Sequence, residues 1–489
     1  MLMHLYGILF LEVKEKMFSG FRKKYIGDRQ LYRRVLYMVI PMILQNLVTN
    51  LVSLIDNIMV GRMGTEQMSG VSIANQFIFV FNITLFGAVS GPGIFGAQFF
   101  GKGDSEGQKY TFRFRIMISA LISLVAFAVY SIFDKELISL FISKDDTAEK
   151  IAQTLMYGRQ YLGIMLISLL PFGVGQAYSS VLSECGHTKI PMMASMSAVG
   201  INIFLDYALI FGKFGMPEMG VKGAAIATVT AKFIETIIKI VWTHTHYEKN
   251  RYAVGVYRGI YIPSKLMADM IKRGTPLLAN EFLWAAGMSI IAQSYSIRGL
   301  DVVAARNIAS TISNLFSTVY IQLGACIAII VGATLGANKL KEARDTDNKL
   351  LFFSLSVSVV VGLMMLPLAK FFPMLYNTEE SVRSLASYMI VIQSMAMPLW
   401  SYANACYFTL RCGGKTGITF LFDFGGTWLV ILPLSTILAR FTDMDIRMLF
   451  MIVTFAEIVK VIAGYFMVRS DIWINNIIDD VGDSKAETE

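Results

Sequence analysis

The sequence predicts an all-α integral membrane protein with twelve transmembrane helices in two pseudo-symmetric six-helix bundles. Three observations carry that prediction. The 489 residues are 55% hydrophobic and only 16% charged, with a mean hydropathy of +0.56, well outside the soluble range. Apolar blocks of about 20 residues recur, the length that crosses roughly 30 Å of hydrocarbon. The second half of the chain repeats landmarks of the first, in the same order.

The blocks fall near 35–60, 70–97, 112–133, 155–183, 190–211 and 220–243, then 266–290, 303–335, 349–371, 382–410, 416–439 and 447–468. They are apolar all round, where a soluble helical protein would show amphipathic stripes. Ahead of them, MLMHLYGILFLEVKEK is too short to span and lacks a basic leader and a small-residue cleavage site. It reads as an upstream extension with Met17 as the working start, so that deleting residues 1–16 leaves transport intact.

The repeat is visible residue by residue. Pro41 aligns with Pro276, Gly64 with Gly299, Ile73-Ala74 with Ile308-Ala309 and Gly101 with Gly336, all at one offset. At a slightly smaller offset, Pro171 aligns with Pro398 and Cys185-Gly186 with Cys412-Gly413. The organisation is therefore a segment 1–34, an N-lobe 35–245, a basic linker 246–265, a C-lobe 266–470 and a tail 471–489. Six helices per lobe give both lobes the same orientation, a transporter signature, because two rocking bundles open a site alternately to each side.

Charge placement sets the topology. Lys and Arg cluster at Lys14–Arg34, Lys102–Arg115, Lys249–Arg273 and Lys339–Lys349. These are alternate connections, and their side of the membrane holds about twice the Lys and Arg of the other. Both termini are thus expected in the cytoplasm, with the chain in the plasma (inner) membrane. The net charge of +8 comes without aromatic–basic interleaving, which argues against nucleic acid. Cys185, Cys326, Cys406 and Cys412 form no CxxC pair, so neither a disulfide framework nor a zinc site is supported.

Several motifs are decoys. GAQFFGKG (Gly96–Gly103) nearly matches a phosphate loop, but Gly103 replaces the hydroxyl residue, and no strand precedes it. It reads as a loop that turns the second helix into the third. His244 and His246 read as solvated residues of the linker rather than ligands. With no HExxH or GxSxG and no catalytic pair, the chain is not expected to be an enzyme. No cofactor is expected beyond a coupling ion.

Ionisable residues within apolar blocks are the informative set, because lipid penalises them. Asp56 lies in NLVSLIDNIMVGRMG with no adjacent basic residue, and Asp206 lies one helical turn after Asn202 in GINIFLDYALIFG. Two carboxylates and an amide in one bundle point to a cation site that takes a proton or a sodium ion. Lys232, Glu235 and Lys239 form an intrahelical ladder, and Glu457 with Lys460 repeats it. Glu281 and, more weakly, Asp423 lack such partners. Glu281 is placed to meet a cationic compound or counter-ion from the second bundle. Abundant Met and Phe suit packing, lipid contact and an adaptable chamber.

Taken together, Pro41, Asp56-Asn57-Ile58-Met59-Val60-Gly61, Gly64, Gly96-Ala97-Gln98 with Gly101, and Asn202 with Asp206 and Ile210-Phe211-Gly212 resemble the multidrug and toxic compound extrusion (MATE) family. The resemblance runs from about Leu36 to about Val468. It implies export of organic, often cationic compounds in exchange for protons or sodium ions, by a membrane-embedded monomer. It also implies a DinF-like cation site from Asp56, Asn202, Asp206 and Thr228, with a proton or a sodium ion held at Asp56, Asn202 and Asp206. The NorM-like C-lobe site is not matched: Glu281 lies about one turn nearer Pro276 than that pattern, and Trp400 stands where its aspartate would be. Glu281, Trp284 and Trp400 are the weaker substrate-binding candidates. The alternative function is a lipid-linked oligosaccharide flippase of the same superfamily, which would more often show extra helices and a strongly cationic cavity.

Overall fold

The computed structural model describes Gly20, residues 22–142 and residues 147–479. The proposed extension 1–16, Met17 and the end of the tail lie outside the described residues. Twelve long helical segments run through the described chain. In the first half they are α1 (Arg29–Gly61), α2 (Thr65–Lys102), α3 (Ser105–Ile132), α4 (Ala148–Glu184), α5 (Lys189–Ile210) and α6 (Val221–Thr245). In the second half they are α7 (Ser264–Ser296), α8 (Leu300–Gly336), α9 (Leu340–Met365) and α10 (Glu380–Cys412). They end with α11 (Thr416–Phe441) and a broken α12 (Ile446–Phe455 and Ile458–Arg469).

Among the described residues eight helices are long and apolar enough to cross a membrane by length and composition. Of the four long segments outside that set, two matter later: α6 carries charges in its middle, and α12 is interrupted beside Glu457. Leu121, Leu124, Val125, Leu363, Met364 and Leu429 are exposed. Such surfaces would aggregate in water but are at home in lipid, where each helix satisfies its own backbone.

Several helices outrun their apolar blocks. At 38 residues, α2 is about 57 Å long at 1.5 Å per residue, far longer than the hydrocarbon. GAQFFGKG is accordingly not a loop: it is helical through Lys102, and only Gly103 turns, in the left-handed conformation.

The described chain forms two compact units: Ile40–Leu283 with the residues from Ile478 on, and Trp284–Ile477 with the residues up to Val39. They are called the N-lobe and C-lobe below. The same helix pairs touch in each. In the N-lobe α2 packs on α3 and α4, α3 on α4, α4 on α6, and α5 on α6. In the C-lobe the pairs are α8 on α9 and α10, α9 on α10, α10 on α12, and α11 on α12. The repeat extends to backbone detail: Gly64 and Gly299, which precede α2 and α8, have φ of 146° and 116°, which favour glycine. Pro41 and Pro276 both lie inside helices, as do Pro171 and Pro398. Each removes one backbone donor from its helix.

Each lobe has its own core. Val71, Ala74, Phe81, Leu85, Leu162 and Leu169 sit in the N-lobe core, and Ala305, Ala309, Ala386, Met389, Met397 and Leu449 in the C-lobe core. Close approach depends on small residues where lipid supplies no hydrophobic drive. At Gly91 an added Cβ would lie 2.4 Å from Gly274 Cα, so α2 and the start of α7 touch backbone to backbone.

Two basic segments differ from the sequence reading. Arg115 is not a loop residue of the cytoplasmic cluster: it is completely buried, with Nη2 2.8 Å from Glu184 Oε2 and 3.0 Å from the Pro92 carbonyl oxygen. The linker is folded rather than loose. Tyr252, Ala253 and Val256 pack with Phe112 and Tyr178, and Arg113 donates to the carbonyls of Gly255, Val256 and Tyr261. His246 is exposed and stacks on Trp242. His244 is instead half-buried, 2.8 Å from the Tyr178 hydroxyl.

Candidate functional site

The N-lobe gathers the residues singled out from sequence. Asp56 comes from late α1, Asn202 and Asp206 from α5, and Thr228 from α6. Asp206 and Asn202 are 1% and 3% exposed, and Asp56 is half-buried. The Asp56 and Asp206 carboxyl groups lie within interaction range of each other. Both oxygens of Asp206, Oδ1 of Asp56 and both amide atoms of Asn202 are buried without a hydrogen-bond partner among the described residues. Buried acceptors in that state are costly unless something positive meets them.

Two site residues were not foreseen. Tyr161 on α4 is buried within electrostatic reach of both aspartates, and its hydroxyl meets the side chains of Thr228 and of Asn75 on α2. Their signal in the sequence is only a polar tip inside an apolar block, which many packing residues share. The hard oxygens of two carboxylates, an amide and hydroxyls suit a proton or an alkali cation, and contain no soft ligand for a transition metal.

Behind this cluster lies the α6 ladder, but it is not confined to one helix. Glu235 accepts from Lys239 Nζ at 2.7 Å and from Lys232 Nζ at 3.2 Å. It also accepts from Ser195 Oγ at 2.7 Å, and Ser195 in turn accepts from Gln45 Nε2 at 3.0 Å. The chain of bonds ties α1, α5 and α6 together. Lys232 also stands near enough for its charge to act on Asp56. The fixed charge beside the aspartate pair is therefore Lys232, across a helix boundary that sequence spacing does not show.

The remaining candidates are placed separately. Glu281, on α7, falls in the compact unit that runs from Ile40 to Leu283, and its Cγ lies 3.3 Å from where a Cβ on Gly87 would stand. Trp284 begins the C-lobe and is 42% exposed. Trp400 packs against the C-lobe core. Asp423 does have a partner: Lys460 Nζ is 2.9 Å from its Oδ1. Elsewhere in the same lobe, Asp347 is buried and accepts from Thr409 Oγ1 at 2.6 Å.

A bundle of lipid-compatible helices, duplicated in sequence and backbone, with two carboxylates brought together among them, defines a polytopic membrane transporter. The MatE family model matches residues 41–208 and again 276–463, so the chain belongs to the MATE family. It is 22% identical over 419 residues to a probable multidrug resistance protein NorM of Thermotoga maritima, covering 85% of this chain and 88% of the relative. Against the Photorhabdus laumondii protein of the same name the identity is 26% over 416 residues, covering 85% and 89%. Among solved structures, the Vibrio cholerae MATE transporter VcmN in the bent form is similar at a TM-score of 0.80 and 17% identity, covering 91% of this chain and 98% of that one. A MOP superfamily transporter from Pyrococcus furiosus also scores 0.80 at 17% identity, covering 93% and 98%.

Proposed function

We propose that this chain is a secondary active multidrug antiporter that exports organic, cationic compounds by alternating access in exchange for a proton or a sodium ion. Family membership and relatives named as multidrug resistance proteins support the efflux reading. The observation that carries the coupling reading is the Asp56–Asp206 pair, whose buried oxygens meet no donor. An incoming cation neutralises part of that charge. It therefore binds more tightly to whichever conformation closes the two aspartates together, and only such differential affinity can drive a cycle.

The roles follow from chemistry. Asp56 and Asp206 hold the ion, Asn202 and Thr228 add neutral oxygens, and Tyr161 orients Thr228. This set fits the DinF-like branch, with coupling in the N-lobe. The protein acts as a monomer in the plasma membrane with both termini in the cytoplasm. No observation favours the flippase alternative.

Cells expressing Asp56→Asn or Asp206→Asn test the reading. Both variants should reach the membrane in normal amount yet fail to lower dye accumulation. Normal dye export by both would remove the N-lobe from coupling.

A further inference from the structure

In the C-lobe, α11 widens into a π-turn over Gly425–Ile431, an irregularity frequent at functional sites. Asp423 and Thr427, one turn apart, both face α12. Lys460 Nζ lies 2.9 Å from Asp423 Oδ1, 2.9 Å from Thr427 Oγ1 and 3.7 Å from Glu457 Oε2. The helix break between Phe455 and Ile458 sets Glu457 at the edge of this cluster. Gly426 leaves room for the lysine stem, since a Cβ there would lie 2.4 Å from Lys460 Cγ.

Three features suit a ligand rather than a plain ion pair. Two carboxylates share one ammonium, so the cluster keeps a net negative charge. The Lys460 side chain is 8% exposed, whereas those of Asp423 and Glu457 are 18% and 22% exposed; the acids are the accessible ends. Beside them Phe420, Phe424 and Trp428 stack with centroids 5.2 and 5.8 Å apart and planes within 10° and 19°. This is a half-buried aromatic strip one residue out of phase with Asp423 and Thr427.

We infer that Asp423, Thr427 and Glu457 form a binding site for a planar organic ammonium ion, and that Lys460 is the resident ammonium which that ligand displaces. The exchange is between two cations, so the acids are never left bare inside the membrane, where an unpaired charge is penalised. Lysine is well suited to being displaced, because its compact charge rides a flexible four-carbon stem and can withdraw. The ligand's ring lies against Phe424 and Trp428, whose faces attract cations. This assignment rests on the reading of the chain as an exporter of organic cations.

The test is equilibrium titration of ethidium, by fluorescence anisotropy, onto the full-length protein in lipid nanodiscs with no ion gradient. Removing the tethered competitor in Lys460→Met should tighten binding about tenfold or more, and Lys460→Arg should not, given the worth of one charged hydrogen bond. Asp423→Asn should weaken binding about tenfold by the same reasoning. Equal or weaker binding by a monodisperse Lys460→Met overturns the assignment. If that variant is not monodisperse, Asp423→Asn decides alone, and unchanged affinity there overturns it. Loss of binding in Asp56→Asn, with the C-lobe variants unchanged, would move the ligand to the N-lobe and refute this site while leaving the export reading intact.

Discussion

The two lobes answer one electrostatic problem in opposite ways. The N-lobe brings Asp56 and Asp206 together and leaves their inner oxygens without a donor. The C-lobe brings Asp423 and Glu457 together and places the Lys460 ammonium against them. Each lobe also holds a charge cluster at its sixth helix, with two lysines on one glutamate within α6, and Glu457 with Asp423 of α11 on the one lysine of α12. A duplicated fold has thus diverged by charge reversal. The C-lobe lysine bonds an acid of its cluster directly, whereas Lys232 of the N-lobe bonds Glu235 and stands beside the aspartate pair. We propose for that reason that ion coupling belongs to the N-lobe.

The largest effects should come from erasing the contrast. In proteoliposomes Asp56→Asn or Asp206→Asn should abolish ion-driven uphill export. Asp423→Asn should raise KM for an organic cation while the ions exchanged per substrate stay unchanged. A change in that ratio for Asp423→Asn would give both lobes a coupling role. Next in size, Asn202→Lys would supply the N-lobe with a tethered ammonium like that of the C-lobe, one turn from Asp206. Export should then lose its dependence on the imposed ion gradient, and gradient-dependent export by this variant would break the comparison.

A structural ion pair provides the reference. The Arg115–Glu184 pair is fully buried, so Glu184→Gln should destabilise the protein by about 3–5 kcal/mol, the cost of leaving one buried charge alone. Replacing both partners with Met should cost far less, and thermal unfolding in detergent would show the difference. Smaller still, Tyr161→Phe should weaken ion-driven export about tenfold, roughly the worth of one hydrogen bond near charged groups. An unchanged rate would reduce Tyr161 to packing.

Much of this was legible in the sequence, and for a physical reason. Lipid forces apolar blocks of fixed length, and duplication leaves prolines and glycines in register, so Pro41 with Pro276 and Gly64 with Gly299 pointed to two lobes. Asp56, Asn202 and Asp206 stood out because charge in such blocks is costly. What lay hidden depends on contacts far apart in sequence. Arg115 reads as a loop charge until Glu184, on another helix, is seen to bury it. Tyr161 looks like any aromatic packing residue. Asp423 looks unpaired until Lys460, on another helix, is seen to meet it. The linker reads as basic and loose because the three carbonyls held by Arg113 carry no sequence signal.

The most direct test is paired transport in proteoliposomes: gradient-driven accumulation of a fluorescent organic cation beside gradient-free exchange of the same compound. For Asp56→Asn, accumulation should vanish while exchange persists, because the pathway is intact and only the ion's hold on it is gone. Asp56→Asn vesicles that concentrate the compound as steeply as wild type, under either a proton or a sodium gradient, would contradict the account.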